Sequence, residues 1–470
     1  MIIDGKKIER KEKFFVRNPY NNEIVGMVGI ADRKDIENAL TLSYHRKKDI
    51  PGEERVRILR DSAERIKREE RDLAQLISLE SGLCLKDTLY EIDRVCKTLE
   101  ASADSVYEIE KDISKKFVKG ENKNPELQVI TEPLDLVVGI TPFNHPMNQL
   151  VHKIGPAIAA GSSIVIKPSE KTPLSAIRLV EILHETGLPS NMVNLITTNR
   201  PLEFLDYVLE SRKSEMISFT GSVYVGKYIA RRMAESGNEL IKYVPELGGN
   251  SPFIILDDAE LSLAAEMALN AFGNSGQRCT KIKRILLHNE VAHEFICAFL
   301  ELTKKIRYGS PLDEETNMGT VINEGAAIEI EKRVNEAILD GANLLYGNKR
   351  TGALYSPTIL DYVLPISRLV VEETFGPVAP IIRIGSLEEA IEIINLSNYR
   401  LSAAVMTQSK EKAERIANAL KVGQFNWNHH PSYRTEQAPF GGFRDSGNGE
   451  KEGVIMSAEG MRRIRTFYIH

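Results

Sequence analysis

Cysteine, charge imbalance and long apolar runs are all scarce in this chain. Four cysteines, Cys84, Cys96, Cys279 and Cys297, are spread over 470 residues, and no two form a C-x-x-C pair. That excludes a disulfide scaffold and predicts reduced thiols. Cys84, Cys96 and Cys297 read as small core side chains, Cys297 within the apolar-rich stretch VAHEFICAFL. The 61 basic and 66 acidic side chains leave a formal net charge of -5. No global field draws in nucleic acid or an anionic membrane, so any anion selectivity must be local. The N-terminus, MIIDGKKIERKEKFF, has no apolar signal core, and no segment approaches the ~18 uninterrupted apolar residues of a membrane span. These absences predict a soluble, cytoplasmic protein with neither nucleic-acid nor membrane partners. Low-complexity sequence and solenoid-period repeats are also missing.

What is present is an ordinary globular composition, 42% hydrophobic and 27% charged. At roughly 150 residues per domain the length predicts two or three lobes. From about Asp32 to Glu80 apolar residues such as Leu59, Ala63 and Ile66 return at helical spacing, which predicts amphipathic helices. From Leu134 short β-branched runs alternate with helical segments: LDLVVGIT, SSIVIK, MVNLI and MISFT. A second series starts near Ser251 with PFIIL and RILLH and continues through IIRI, SAAVMT and NALKVGQFNW. The fold class expected is α/β, with two doubly wound parallel α/β domains. Outside both series, KKFVKGENKNPELQVITEP reads as a hairpin and IRTFYIH as a last strand. Isolated strands present unpaired edges, and that predicts an oligomer.

Several residues could carry chemistry. Cys279, in FGNSGQRCT, is a loop thiol beside Arg278, and a nearby guanidinium with loop amide dipoles would lower its pKa from about 8.5. It is the best nucleophile candidate, provided that partners exist. Glu246, in YVPELGGNS between the two series, reads either as a general base or as a carboxylate capping the next element. The following glycines, Gly248 and Gly249, let backbone approach a ligand. Asn144, in ITPFNHP, leaves a strand where parallel sheets open on their ligand crevice; it suits an oxyanion donor or a turn between prolines. Lys167 and Glu170 in IVIKPSEKTP suit ribose hydroxyls or form a solvated pair, and an unopposed Glu170 would repel a 2'-phosphate, favouring NAD. Gly221, Ser222 and Gly226 in GSVYVG open a helix, either as a pyrophosphate site or as a plain strand-to-helix turn. No metal-ligating set is assigned.

Together these motifs resemble the aldehyde dehydrogenase superfamily across nearly the whole chain. PFN at Pro142 to Asn144, KPSE from Lys167, FTGS from Phe219, ELGG from Glu246, GQRC ending at Cys279, EETFGP from Glu372 and PFGG from Pro439 follow the family's order. The resemblance implies that Cys279 attacks the aldehyde while the Asn144 amide and the Cys279 backbone N–H hold the oxyanion. Hydride leaves to nicotinamide, and Glu246 activates the water that hydrolyses the thioester. Lys153 matches a lysine near the reacting centre. Glu373 and Phe375 would hold the nicotinamide ribose and ring, Lys167 and Glu170 the adenosine ribose, with Thr141, Pro142, Phe143, Ser169 and Leu247 in the same NAD site, NADP being admissible. The implied organisation is an NAD-binding domain of residues 1–114 and 132–245, a catalytic domain of 246–445, and oligomerisation elements at 115–131 and 446–470, giving a homodimer or homotetramer. The acylating branch, which passes the acyl group to coenzyme A, lacks the ELGG glutamate, so Glu246 favours the free acid. One departure follows PFGG: where many members carry a GRE-type glutamate, this chain has SGNGEKEGV, with Lys451 in that place.

The segments ITPFNHPMNQLVHK and GQRCTKIKRILL look closest to phosphonoacetaldehyde dehydrogenases, with lactaldehyde and glyceraldehyde dehydrogenases as near relatives. Four candidate cations, Arg94, His145, Arg278 and Arg434, would suit a small anionic aldehyde. Pairing of Arg94 with Glu91 and of Arg434 with Glu436 would instead leave an uncharged aldehyde as substrate. A reading of another class is a non-catalytic binding protein that keeps the fold.

Overall fold

The computed structural model describes residues 1–46, 50–111 and 126–469. The expected early helices form at Arg33–Tyr44, Gly52–Arg68 and Glu70–Ser81, followed by a long helix, Leu85–Ile109. Ile58, Leu59, Ala63 and Ile66 on the inner face of Gly52–Arg68 are fully or almost fully buried. They join Leu99 and Ala103 of the long helix and Ile154 of Pro146–Ala160 in one apolar cluster. Helical spacing thus converts directly into a packed layer against the first sheet.

That sheet carries five parallel strands in the order Lys242–Glu246, Met216–Thr220, Leu136–Ile140, Ser163–Lys167 and Val193–Leu195, extended antiparallel by Ile2–Ile3 and Lys6–Lys7. Strand order reverses between Leu136–Ile140 and Met216–Thr220, and such a switch point opens a crevice beyond the strand ends. The ends are in register: Ile140 lies opposite Lys167, and Thr220 opposite Glu246. Thr141, Gly221 and Leu247 therefore leave the sheet along one edge. The chain then crosses to a second sheet, ordered Asn343–Tyr346, Thr358–Asp361, Val378–Ile384, Arg284–His288, Pro252–Ile255, Ser402–Met406 and Gln424–Trp427, parallel except for the first strand. The α/β architecture expected from the two alternating series is present. Thr358–Asp361 and the short N-terminal strands have no counterpart in the sequence reading.

The expected hairpin falls partly on 112–125, outside the described residues. Glu126–Pro133 and the C-terminal Arg462–Ile469 are not isolated strands. They pair with each other, antiparallel and without a bulge, from Glu126 opposite Ile469 to Pro133 opposite Arg462. Each satisfies one backbone edge of the other, which corrects the expectation of two separate unpaired elements. Ile464, Phe467 and Tyr468 stay exposed on this ribbon. No helix among the described residues is long and apolar enough to cross a membrane.

The second core reaches the cysteine loop through aromatics. Phe299 of the helix Ala292–Thr303 stacks on Phe272 at 5.7 Å and on Phe295 at 5.6 Å, and Phe272 directly precedes the loop. We expect Phe299→Ala to lower unfolding stability by about 3–5 kcal/mol in denaturant titration, because the surrounding rings cannot collapse into the void. A loss below about 1 kcal/mol would show that this stack does not support the loop.

Candidate active site

Asn144 ties the two sheets together. After Leu136–Ile140 the chain turns through Thr141, whose N–H donates to Lys167 O at 3.2 Å, and reaches the helix Pro146–Ala160. The Asn144 side-chain amide donates one N–H to Gln277 O at 2.8 Å, and the Asn144 backbone carbonyl accepts from Asn274 Nδ2 at 3.0 Å. Both partners belong to the cysteine loop. Its other N–H remains for a ligand. Pro142, Phe143 and Asn144 line a cavity of about 270 Å³ that Cys279 also lines.

The loop itself is sharply turned: Asn274, Ser275 and Gly276 all have left-handed φ, at 58°, 52° and 71°. A Cβ on Gly276 would collide with Gly376 O, so only glycine fits where this loop packs on the EETFGP segment. The turn sends Cys279 and Arg278 in different directions. Arg278 faces Asp87, at 3.7 Å, and the Tyr90 ring, at 5.6 Å. The expectation that Arg278 lowers the thiol pKa is therefore corrected. Burial pushes the Cys279 thiol up, Glu246 and Glu373 add to the rise, and the cations that oppose it are Lys283 and Arg434.

Glu246 ends the strand Lys242–Glu246 and is 2% exposed, with neither carboxylate oxygen hydrogen-bonded to protein. Burial holds its pKa well above the ordinary value; Glu452 raises it further, while Lys153, Arg434 and Lys451 pull it down. A carboxyl moved in this direction, unpaired and lining the cysteine cavity, is suited to taking a proton near neutral pH. The capping alternative finds no support, since no backbone N–H binds it. Lys153 is fully buried and donates to Ser218 Oγ at 2.8 Å and to Glu452 Oε1 at 2.7 Å. Glu452, missed in the sequence, is thus the carboxylate in this network. Its neighbour Lys451 is half-buried, donating to Gly441 O and lying 4.4 Å from the Phe443 ring centroid. An acidic residue inside SGNGEKEGV gave no periodic signal that would separate it from the charges around it.

The cofactor candidates divide into two groups. Gly221, Ser222, Leu247, Glu373 and Phe375 line the cavity, and Phe143 and Phe375 meet edge to face at 6.1 Å. Ser222 caps the helix Val223–Glu235, whose free amides open at the cavity mouth. Gly226 is buried below: its Cβ would strike Leu247, so it serves helix packing. Lys167 and Ser169 are buried, and Glu170 lies 3.5 Å from Lys167 Nζ, so Glu170 is not unopposed as its sequence context suggested. Burial lowers the Lys167 pKa. A dinucleotide fits these residues. A strand-end crevice, a capped helix N-terminus, an unpartnered buried Thr220 Oγ1 and the Gly248 backbone pressed against Glu373 are all present.

The four candidate cations are not equally free. Arg94 forms a bidentate pair with Glu436, at 2.6 and 3.0 Å, rather than with Glu91, which accepts the Met147 and Asn148 N–H groups. Glu436 also receives His152 Nε2 at 2.9 Å and lies 3.9 Å from Arg434. His145 is no cation: burial, then Arg278, Arg94 and Arg434, hold its pKa well below the ordinary value. Arg434 stacks over Phe440 at 4.2 Å, and its Nη1, like Arg278 Nε and His145 Nε2, is buried without a partner. Arg434 also shares a small void with Cys279 and Glu246.

Residues 7–467 match the sequence profile described as Aldehyde dehydrogenase family. A lactaldehyde dehydrogenase of Methanococcus aeolicus is 37% identical over 481 residues, covering 100% of both chains. A 3-sulfolactaldehyde dehydrogenase of Priestia aryabhattai is 32% identical, over 100% of this chain and 98% of that one. Among solved structures, the NADP-dependent glyceraldehyde-3-phosphate dehydrogenase of Bacillus halodurans C-125, complexed with NADP, superposes with a TM-score of 0.93 at 32% identity, covering 100% of this chain and 98% of that one.

Because only the thiolate is alkylated, a raised thiol pKa delays reaction to higher pH. Iodoacetamide labelling of Cys279, followed on its peptide by mass spectrometry without cofactor, should still accelerate above pH ~8.5, the ordinary thiol value. Glu246→Gln removes a carboxylate that raises the thiol and should move the profile to lower pH. A plateau already reached below pH ~7.5 in the parent would contradict this electrostatic picture.

Proposed function

The chain belongs to the aldehyde dehydrogenase family, and from that premise we propose that it oxidises a short anionic aldehyde to the free acid through a thioester on Cys279. It is an NAD(P)-dependent aldehyde oxidoreductase. Cys279 Sγ bonds to the aldehyde carbon, and the carbonyl oxygen becomes an oxyanion facing the free Asn144 N–H and the Cys279 backbone N–H. When bound, the oxidised nicotinamide supplies the hydride acceptor. Glu373 and Phe375 orient that end of the cofactor, and Gly221 and Ser222 take its phosphates. The thioester left on Cys279 is attacked by water whose proton passes to Glu246, and the carbon–sulfur bond breaks to release acid and thiol. Lys153 and Glu452 lie behind Glu246 and set the charge against which it titrates.

The observation behind an anionic substrate is Arg434 Nη1, a buried donor with no protein partner in the void beside Cys279 and Glu246. A phosphonate, sulfonate or phosphate oxygen would satisfy this donor, which keeps phosphonoacetaldehyde within the proposed class. A second reading, an uncharged hydroxyaldehyde such as lactaldehyde, is favoured by Glu436, which already neutralises Arg94.

Comparing kcat/KM for phosphonoacetaldehyde, sulfolactaldehyde, glyceraldehyde 3-phosphate and lactaldehyde tests the choice. We expect anionic substrates to lead, and Arg434→Met to cut the anionic-to-neutral ratio by roughly 10- to 100-fold, the value of a charged hydrogen bond. Equal values in the parent would leave the uncharged reading. For the acid-forming step, Glu246→Gln should retain a stoichiometric NADH burst while steady turnover falls by about 100-fold or more. Unchanged steady turnover would remove Glu246 as the base. Cys279→Ala should bind cofactor and make no NADH, and turnover in that variant would end the covalent mechanism.

A further inference from the structure

Lys283 stands four residues beyond the nucleophile, at the start of the strand Arg284–His288, and its side chain is 1% exposed. A buried ammonium needs partners on every donor, since leaving one unmade is costly. Lys283 Nζ donates to Gly249 O at 2.6 Å and to Glu373 Oε1, and lies 5.2 Å from the Phe375 ring centroid. Glu373 Oε1 in turn accepts the Gly249 N–H at 3.2 Å, and the Glu373 carboxylate occupies the space that a Cβ on Gly248 would need. One ammonium therefore joins three separate stretches of chain: the segment after Cys279, the ELGG turn and the EETFGP loop. Lys281, two residues earlier and equally buried, makes no such junction; it donates to Val378 O at 3.2 Å.

We propose that Lys283 is a positioning residue for cofactor capture, clamping the Glu373 carboxylate against the Gly248–Gly249 turn so that its remaining lone pairs face the cavity. The proposal rests on the reading of this cavity as the dinucleotide site. Without the clamp, Glu373 is a flexible carboxylate at 16% exposure with several rotamers to lose on binding. With it, Glu373 Oε1 is committed to Lys283 and Gly249, and Oε2 is left for a hydroxyl-bearing ligand. The Lys283 charge also offsets the two carboxylates that face Cys279, Glu246 and Glu373.

The test is a double-mutant cycle read by calorimetric titration with NAD and with NADP, which needs no aldehyde and no turnover. Lys283→Met should weaken cofactor binding by roughly 10- to 100-fold, as should Glu373→Gln. The double variant should be no more than about 3-fold weaker than Glu373→Gln alone, because the lysine then has nothing to position. In steady state, KM for the cofactor should carry most of the Lys283→Met effect and kcat little of it. Lys283→Arg, which keeps the charge and the donors, should recover part of the affinity. If Lys283→Met does not fold, Lys283→Gln takes its place with the same expectation. Parental affinity in Lys283→Met, or two single effects that simply multiply, would overturn the assignment. Absence of NADH from every aldehyde with the parent enzyme would instead defeat the proposed function, leaving the Lys283 cycle to be judged on binding alone.

Discussion

The seam between Asn144 and the cysteine loop is the constraint on which the site depends. Its two hydrogen bonds, Asn144 Nδ2 to Gln277 O and Asn274 Nδ2 to Asn144 O, fix a residue of the first sheet against a loop of the second core at 2.8 and 3.0 Å. Neither sheet alone brings the Cys279 thiol, the Asn144 amide and the Glu246 carboxyl to one cavity. A misplacement of about 1 Å in such a constellation can cost two orders of magnitude in rate. The left-handed run Asn274–Gly276 is what lets the loop reach that seam, and backbone held in a sparsely populated region persists only where packing over-determines it. Here the packing comes from Gly376 on one side and the Phe272–Phe299 stack on the other.

Around that seam charge is arranged in opposed pairs. Glu246 and Glu452 would repel one another in a site with little water, and Lys153 stands in hydrogen-bond contact with Glu452. Glu373 faces Cys279 with a like effect on the thiol, and Lys283 answers it. The consequence is a thiol and a carboxyl that are both held above their ordinary pKa values, by burial first and by the facing carboxylates second.

Legibility from sequence followed periodicity and local motif. The runs VVGI, IVIK and ISFT are buried on both faces of a parallel sheet and so are continuously apolar, which made the first sheet visible. Strand ends then locate Asn144, Lys167 and Gly221 at one edge, while the strand that carries Glu246 there has no counterpart in the sequence pattern. What stayed hidden were contacts between residues far apart in the chain. Glu452 meets Lys153 across 299 positions and Glu436 meets Arg94 across 342, and neither partner carries a local pattern that names the other. Adjacency misleads for the same reason: Arg278 precedes the thiol in sequence, yet it faces Asp87, and the cation that most opposes the rise in the thiol pKa is Lys283, four residues on. The sequence pattern suggests a hairpin around Glu126–Pro133 and a strand at the C-terminus, but the pairing of Glu126–Pro133 with Arg462–Ile469 lies beyond any local signal.

The pocket proposed for the aldehyde's far end shows the same opposition of charges. Arg94 is held bidentately by Glu436, and His152 is tied to the same carboxylate. His145 is held well below the ordinary histidine pKa by burial first and by the arginines around it second. Counting three arginines would therefore overstate the attraction for an anion. What remains directional is a single unpartnered N–H group on Arg434, and a buried donor left unpaired disfavours any substrate that cannot accept from it. Selectivity in such a pocket is set by where an acceptor oxygen can reach, more than by total charge. Because this donor is buried, added salt should screen it far less than a surface patch.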